Sequence, residues 1–269
     1  MPRQLELFPE PEPPLGGGFV AAVELKRDTV PDWEAYPFCI PAVRRLERLT
    51  LHRAVTFLVG ENGSGKSTLL EAMAVRLGFP AEGGSRNYHF STRDTHSALS
   101  DHLRMVRDGM QTARRESDGF FLRAESFYTL MNAVEDSERE SCTPFAEWSG
   151  KSPHERSHGE AFFTLLTQRL RGDGLYLFDE PEAALSPQRQ LAVLVQIHAL
   201  VRKRSQFIIA THSPLLLAYP HALIYQCDED GLRQVSYEET DACRITKAFL
   251  RGPEKMIGEL LAEDEMEER

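Results

Sequence analysis

The amino-acid sequence predicts an α/β fold with a mainly parallel central sheet flanked by helices. Three short, continuous apolar runs are typical of strands buried on both faces, namely VTFLV at 55–59, LYLF at 175–178 and FIIA at 207–210. Strong helical patterns follow the first two runs. Buried strands that alternate with helices favour a parallel sheet, because the helices connect successive strands and cover the faces of the sheet.

Both helical patterns have recognisable ends. The first, STLLEAMAVRLG, ends at Gly78, and glycine is well suited to a helix C-cap. The second, PQRQLAVLVQIHALVRKR, follows Ser186 as its N-cap and has Pro187 at the first helical position. Basic residues fill its last turn, where they complement the helix dipole.

The chain of 269 residues is long enough for one large domain, or for a domain with an inserted lobe. We predict a disordered lead-in at 1–15, a single domain at 16–240 and a helical acidic tail at 241–269. The stretch at about 80–160 is rich in Arg, Ser, Asp and Gly and has few strand-like runs. We therefore expect it to form a mostly helical lobe inserted into the domain.

Composition and charge narrow the class of protein. The sequence is 41% hydrophobic and 27% charged, has no apolar run of membrane-spanning length and no signal-peptide core, and its four cysteines form no CxxC pair. These features favour a cytoplasmic protein with reduced thiols and no zinc site. A net charge of −10 argues against a free-standing, sequence-independent DNA binder. Arginines at 104–123 form either solvated surface or a local patch for an acidic partner.

The most specific motif is GENGSGKS at 60–67, which fits GxxxxGK[ST] between a predicted strand and a predicted helix. Its glycines let backbone amides turn toward phosphates, and the helix directs its positive end at them. Lys66 is expected to reach the β- and γ-phosphates and Ser67 to coordinate Mg²⁺. The predicted nucleotide-binding residues are Glu61, Asn62, Gly63, Ser64, Gly65, Lys66, Ser67 and Thr68.

Three residues at strand ends extend this site. Asp179 follows LYLF and is expected to hold Mg²⁺, while Glu180 is placed to polarise an attacking water. His212 follows FIIAT, where it could hydrogen-bond the γ-phosphate and the attacking water. A lone histidine is usually structural, so its position after a buried strand decides in favour of function. Glu180, His212 and Lys66 are the predicted catalytic residues, and Ser67 and Asp179 the predicted metal ligands.

A second helix start, at Ser157-His158-Gly159-Glu160, precedes another apolar run. Ser157 and Glu160 have the spacing of a capping box, which satisfies backbone amides at the start of a helix. The same hydroxyl and free amides also form an anion site, so a phosphate is an alternative occupant. Both possibilities remain open on these residues alone.

The motifs GENGSGKST, SHGE, LFDEPEAALS and IIATHS occur in the order of Walker A, signature, Walker B with D-loop, and switch histidine. The chain thus resembles ABC-type ATPases of the P-loop NTPase superfamily, and more closely the soluble, stand-alone, AAA-type bacterial predicted ATPases that lack membrane domains. The stretches YPFCIPAVRRL, FSTRDTHS, DGFFLRAESF and HERSHGE are similar to the latter group. The resemblance covers roughly residues 15–230 and implies Mg²⁺-dependent ATP binding and hydrolysis.

The resemblance gives the SHGE segment a role between two chains. In ABC-type ATPases the signature caps ATP held by the opposite subunit, which implies an ATP-sandwich homodimer. Ser157, Gly159 and Glu160 match positions of that signature, and His158 departs from it by replacing its first glycine. By resemblance, Ser157 and the Gly159 amide contact the γ-phosphate of the partner's ATP, and residues 183–186 form the D-loop.

Two elements of the resemblance have no single match. The Mg²⁺-binding glutamine is not evident, and the candidate region is 87–93, with Ser91 or Thr92 as substitutes. Adenine would stack on Tyr36 or Phe38, unless both rings belong to the core.

The leading hypothesis is therefore a Mg²⁺-dependent ATPase that closes as a homodimer. The alternative is an ATP-gated binding module whose lobe at 80–150 binds nucleic acid or a partner protein, with slow hydrolysis as a timer. A transporter energy subunit is less favoured, because nothing in the sequence resembles a membrane partner.

Overall fold

The computed structural model describes residues 17–86, 98–107, 115–127, 131–132 and 158–267. The predicted lead-in at 1–15 lies outside these residues, as does most of the stretch at 128–157. The strands of the described residues are β1 (Ala22–Leu25), β2 (Arg48–Thr50), β3 (Val55–Val59), β4 (Leu103–Val106), β5 (Asp118–Arg123), β6 (Gly174–Asp179), β7 (Gln206–Ala210), β8 (Leu223–Asp228) and β9 (Gly231–Val235).

Helices of the described residues surround these strands. One π-helical turn continues the fourth helix, and three short 3-10 turns occur at Arg27–Thr29, Pro181–Ala184 and Tyr237–Glu239. The helices are α1 (Pro41–Arg44), α2 (Lys66–Arg76), α3 (Leu99–His102), α4 (His158–Thr164), α5 (Pro187–Arg202), α6 (Pro214–Leu217), α7 (Asp241–Arg251) and α8 (Pro253–Glu267).

A six-stranded sheet in the order β5-β6-β7-β3-β8-β9 forms the centre of the fold. Its first five strands are parallel and β9 is antiparallel to β8. The predicted α/β fold with a mainly parallel sheet is therefore confirmed. The three apolar runs form β3, β6 and β7, and every residue of these strands is buried.

The two predicted helix ends are also confirmed. Gly78 follows α2 with φ +87°, and its amide donates to the carbonyl of Val75. This left-handed position is one that glycine adopts without a steric penalty. Ser186 precedes α5 and its hydroxyl accepts a hydrogen bond from the Arg189 amide at 3.4 Å.

Side chains alternate between the two faces of the central sheet and form two apolar clusters. Phe57, Phe178 and Phe207 lie in the cluster covered by α5. Leu58 and Ile208 lie in the cluster covered by α2. Full burial of such a side chain contributes about 1.5–3 kcal/mol, so the two clusters hold the helices on their strands.

The described part of 80–160 differs from the predicted mostly helical lobe, because it supplies two strands. β4 completes a three-stranded antiparallel sheet in the order β2-β1-β4, and β5 is the edge of the central sheet. Within β5 the consecutive side chains Phe120, Phe121 and Leu122 are buried. This apolar run is short and polar residues flank it. The strand was therefore not predicted from the composition of the surrounding sequence.

Adjacent parallel strands bring three sequence motifs to one edge of the sheet. The glycine-rich loop follows β3, His212 lies two residues after β7, and Asp179 ends β6. Because β7 pairs with both β3 and β6, these carboxyl ends are neighbours. Ligands of open α/β sheets bind at this edge.

The predicted helical tail corresponds to α7 and α8 as far as residue 267. Within the described ranges no helix combines the length and apolar character needed to cross a membrane. A cytoplasmic location and the domain limits given above stay predictions.

Candidate nucleotide-binding site

The loop at 60–65 is fixed on one side and open on the other. Gly60, Gly63 and Gly65 have φ values of +145°, +83° and +96°, which L side chains rarely adopt. A Cβ atom at Gly60 would lie 2.2 Å from the Cys227 carbonyl oxygen, and one at Gly65 would lie 2.6 Å from Ile40 Cγ2. A Cβ atom at Gly63 would meet no atom within 4 Å. The open space at Gly63 is where this loop leaves room for a ligand.

Lys66 folds back over the same loop. Its Nζ donates to the carbonyl oxygens of Gly60 and Glu61, both at 2.8 Å, and the residue is only 3% exposed. Burial lowers the pKa of Lys66, and the negative charges of Glu180 and Asp179 oppose that shift. A phosphate in the loop would supply a nearby anionic partner for this buried ammonium group.

Ser67 and Asp179, the two predicted metal ligands, meet across the sheet. The Ser67 hydroxyl donates to Asp179 Oδ1 at 2.9 Å. Burial raises the pKa of Asp179 to about 6, against the effects of the Ser67 hydrogen bond and the Arg123 charge. A hydroxyl and one carboxylate are hard oxygen ligands that suit Mg²⁺, which completes its shell with water and phosphate oxygens. The described residues contain no cluster of three His, Cys, Asp or Glu residues placed for a metal.

Glu180 and His212, from the ends of neighbouring strands, also come together. His212 Nε2 lies 3.4 Å from Glu180 Oε1, and both side chains remain partly exposed. The Glu180 backbone has φ +50°, a left-handed conformation that costs a non-glycine residue about 1–3 kcal/mol. Its amide is held by the carbonyl of Ala210 at 2.9 Å. The strained position turns the Glu180 side chain toward His212 at the open edge of the site.

Glu182, the second acid after Asp179 in DEPEAALS, was not predicted to belong to the site. Glu182 Oε1 accepts a hydrogen bond from the His212 backbone amide at 2.5 Å, while Oε2 is buried with no hydrogen-bond partner. Glu182 thus ties the turn after β6 to the segment after β7. An acid in a turn directly after two motif carboxylates was the only sequence feature that pointed to it.

Arg123 was counted among the surface arginines, and the structure places it in the site. It ends β5 and is paired in register with Asp179 on β6. Its Nη1 lies 2.6 Å from Glu71 Oε2, and its Nε lies 3.7 Å from Asp179 Oδ2. Only tertiary pairing of β5 with β6 reveals this position. The region 87–93, predicted to replace the Mg²⁺-binding glutamine, lies outside the described residues.

Buried polar atoms without a hydrogen bond concentrate at this site. Buried polar groups are nearly always paired, so an unpaired group calls for a missing partner. Seven such side-chain atoms occur in the described residues, and four of them line the region between the loop and the strand ends. These four atoms are Ser64 Oγ, Arg123 Nε, Glu182 Oε2 and His212 Nε2. Arg123 Nε and His212 Nε2 make no hydrogen bond but lie 3.7 Å and 3.4 Å from the carboxylates of Asp179 and Glu180, so only Ser64 Oγ and Glu182 Oε2 have no such polar neighbour.

The structure separates the two candidates for adenine stacking. Phe38 is 2% exposed and packs edge-on against His102 in the core, with ring centroids 5.1 Å apart. Tyr36 is 69% exposed, and its hydroxyl lies 3.2 Å from Thr68 Oγ1 at the start of α2. Only Tyr36 therefore presents a free aromatic face beside the loop.

The predicted signature is only partly described. Ser157 lies outside the described residues, whereas Gly159 and Glu160 belong to the first turn of α4. Glu160 Oε1 lies 3.8 Å from Arg189 Nη2 at the start of α5, and its side chain is 53% exposed. The loop residues Glu61 and Asn62 are exposed as well.

Comparison with known families agrees with this geometry. The family model described as "AAA domain, putative AbiEii toxin, Type IV TA system" matches residues 160–218, and a second, described as "AAA domain", matches residues 39–141. The first match includes the strand with Asp179 and Glu180 and the segment with His212, and the second includes the glycine-rich loop. The chain is thus similar to AAA domains over the two segments that contain these motifs.

Individual relatives are more distant. The chain is 27% identical over 179 residues to the hemin import ATP-binding protein HmuV of Idiomarina loihiensis, a match that covers 61% of this chain and 67% of the relative. Among solved structures, it is 15% identical to the SMC head domain of Thermotoga maritima, with a TM-score of 0.43 and coverage of 81% and 98% of the two chains. A nucleotide-free ATP-binding cassette of an ABC transporter is also 15% identical, with a TM-score of 0.42 and coverage of 70% and 83%.

Proposed function

We propose that the protein binds ATP with Mg²⁺ and hydrolyses it, in a site that a second copy of the chain completes. The observation that carries the proposal is the Ser67–Asp179 hydrogen bond beside the Glu180–His212 pair, at the mouth of the glycine-rich loop. This arrangement joins a phosphate cradle, a pair of metal ligands and a candidate base within one edge of the sheet.

Each residue has a separate task in this proposal. The loop amides and Lys66 bind the phosphates, and Thr68 holds the α-phosphate. Tyr36, beside Thr68, stacks on the adenine ring. Ser67 and Asp179 would hold Mg²⁺, which neutralises charge on the phosphates when bound. Arg123 positions Asp179 from the neighbouring strand through its charge.

Hydrolysis transfers the γ-phosphoryl group of ATP to water, and ADP is the leaving group. Glu180 orients the water and accepts its proton as the new P–O bond forms and the bond to the β-phosphate oxygen breaks. His212 lies within 3.4 Å of Glu180 and can steady both the water and the γ-phosphate. The products are ADP and inorganic phosphate, and a positioned base of this kind contributes about 10²–10⁴-fold to the rate.

The partner copy supplies the signature. Gly159 and Glu160 lie in the first turn of α4, and the Glu160 side chain is 53% exposed beside Arg189 in the single chain. By resemblance, Ser157 and the Gly159 amide of each copy cover the γ-phosphate held by the other. Each nucleotide is then enclosed only when two copies meet.

Steady-state ATP hydrolysis with Mg²⁺ tests the chemical part of this proposal. The Glu180→Gln variant is expected to bind ATP like the wild type and to lose roughly 10²-fold or more of its turnover. Glu229→Gln makes the same change at an exposed carboxylate that lines a different cavity, and serves as the matched control. Wild-type turnover in Glu180→Gln would show that another group acts as the base.

The name of the curated relative raises import as a competing role, and co-purification with a membrane protein would favour it. Three of the arginines at 104–123 give the nucleic-acid alternative no support. Arg104 contacts Glu24, Arg107 contacts buried Glu116, and Arg123 contacts Glu71. These three side chains are engaged with acids of the same chain, so they do not form the free basic patch that phosphate binding needs.

A further inference from the structure

The last two helices carry most of the large hydrophobic side chains that the described residues expose. Nine large hydrophobic side chains are exposed among all described residues. Six of the nine lie on α7 and α8, with exposed fractions from 41% to 73%. We refer to these six as the C-terminal stripe. Its members are Ile245, Phe249, Leu250, Ile257, Leu260 and Leu261.

The spacing of the stripe is that of a helix-packing face. Ile245 and Phe249 are four residues apart on α7, and Ile257 and Leu261 are four apart on α8, so each pair lies on one side of its helix. α7 is anchored at its start, where the Thr240 hydroxyl accepts from the Cys243 amide and Cys243 is buried. The exposed face beyond this anchor has the pattern of a surface that another helix covers.

Charge indicates which helices cover it. α7 carries three basic residues and one acidic residue, whereas α8 carries six acidic residues and one basic residue. Two α8 helices side by side would repel each other, because both are strongly acidic. Arg244 and Lys247 contact Asp241 and Glu238 of the same chain, so the complementarity between α7 and α8 of a second copy depends mainly on Arg251 and on the acidic residues of α8.

We propose that a second copy of this chain covers the C-terminal stripe, with α7 of each copy against α8 of the other, in the absence of nucleotide. The contact would begin beside the nucleotide site. Ile245 and Thr246 line a cavity of about 290 Å³ together with Gly60, Glu61 and His212. The pairing therefore holds two nucleotide sites near each other before ATP arrives, and it does not depend on the proposed hydrolysis.

Sedimentation velocity of the full chain in EDTA without nucleotide tests this pairing. The wild type is expected to sediment as a dimer. Leu261→Glu is expected to raise the dissociation constant about tenfold or more, because it places a charge where an apolar side chain is to be buried. Val195→Glu on α5 is the matched control, since Val195 and Leu261 are both 59% exposed, and it should leave the dimer unchanged.

A charge exchange tests the partner orientation. Arg251→Glu on α7 is expected to weaken the dimer, and adding Glu254→Lys on α8 to the same chain is expected to restore it. Homotypic pairing of α7 with α7 and of α8 with α8 would give no such rescue. Binding of ATP by each variant, measured with a fluorescent ATP analogue, checks that the domain is folded.

The outcomes separate this pairing from the proposed ATPase. A wild type that is monomeric without nucleotide, or a dimer that Leu261→Glu leaves intact, overturns the pairing. Neither result bears on the ATPase proposal, which is tested by the ATP turnover of the wild type and of Glu180→Gln. Conversely, a nucleotide-free dimer that hydrolyses no ATP supports the pairing and contradicts the ATPase.

Discussion

At the residue scale, the site depends on carboxylates that differ in burial and in partners. Asp179 is 5% exposed and bound by Ser67, whereas Glu180 is partly exposed beside His212. Burial suits a metal ligand, because the cation compensates the charge, and partial exposure suits a group that exchanges a proton with water. The backbone turns sharply between the two adjacent acids, and their different environments suit the different roles that we propose for them.

Asp179→Asn is expected to stabilise the ligand-free protein above pH 6. Its folded pKa of about 6 exceeds the ordinary 3.8, so the fold retains a proton that the unfolded chain loses. Stability therefore falls as pH rises from about 4 to about 6, by up to about 3 kcal/mol, and stays low above that range. Thermal unfolding in EDTA from pH 4 to 8 should show this loss in the wild type and not in Asp179→Asn. Parallel pH curves for the two proteins would contradict the assignment.

Glu182→Ala is expected to reduce turnover with little change in ATP affinity. It removes the acceptor of the His212 amide, and a buried donor left unpaired costs about 1–3 kcal/mol. The Glu182→Gln variant keeps a carbonyl oxygen at the same place and should retain most of the activity. Both variants are compared by kcat and by equilibrium ATP binding. Equal kcat for the alanine and wild-type proteins would remove Glu182 from the site.

At the element scale, the sequence predicted those elements whose pattern is local. β3, β6 and β7 are uniformly buried and consist largely of apolar residues, and the loop glycines are part of a contiguous motif. β5 was missed because its apolar run is short and ends at Arg123, whose role exists only through pairing with β6. Tyr36 and Phe38 could not be told apart either, because their exposure depends on packing with residues distant in the chain.

Replacing two of the loop glycines by alanine is expected to lower the stability of the protein by different amounts. Gly60→Ala places a Cβ atom 2.2 Å from a backbone oxygen, whereas Gly63→Ala faces open space. Both positions have positive φ, so backbone strain lowers the stability of each variant by about 1–2 kcal/mol, and the clash destabilises Gly60→Ala further. Thermal unfolding without ligand should show the larger loss for Gly60→Ala. Gly63→Ala should mainly weaken ATP binding, and a larger loss of stability in that variant would contradict the described loop geometry.

At the scale of the whole molecule, strand order assembles the site. Residues more than a hundred positions apart, such as Ser67 and Asp179, are in contact because β3, β7 and β6 are consecutive in the sheet. The sequence indicated the fold class and the residues of this edge because each motif is local and carries its own strand. The positions of Glu182 and Arg123 in the site could not be predicted from the sequence. They depend on tertiary contacts, with the His212 amide for Glu182 and with Asp179 for Arg123.

The central claim, closure of two copies around ATP, is tested most directly by light scattering. The protein to use is the Glu180→Gln, Leu261→Glu double variant, which is expected to be monomeric without nucleotide and slow to hydrolyse ATP. With Mg²⁺ and ATP its mass should double, and with ADP it should stay that of a monomer. A variant that binds ATP and remains monomeric would contradict the account, and the segment 157–160 would then be a helix cap alone.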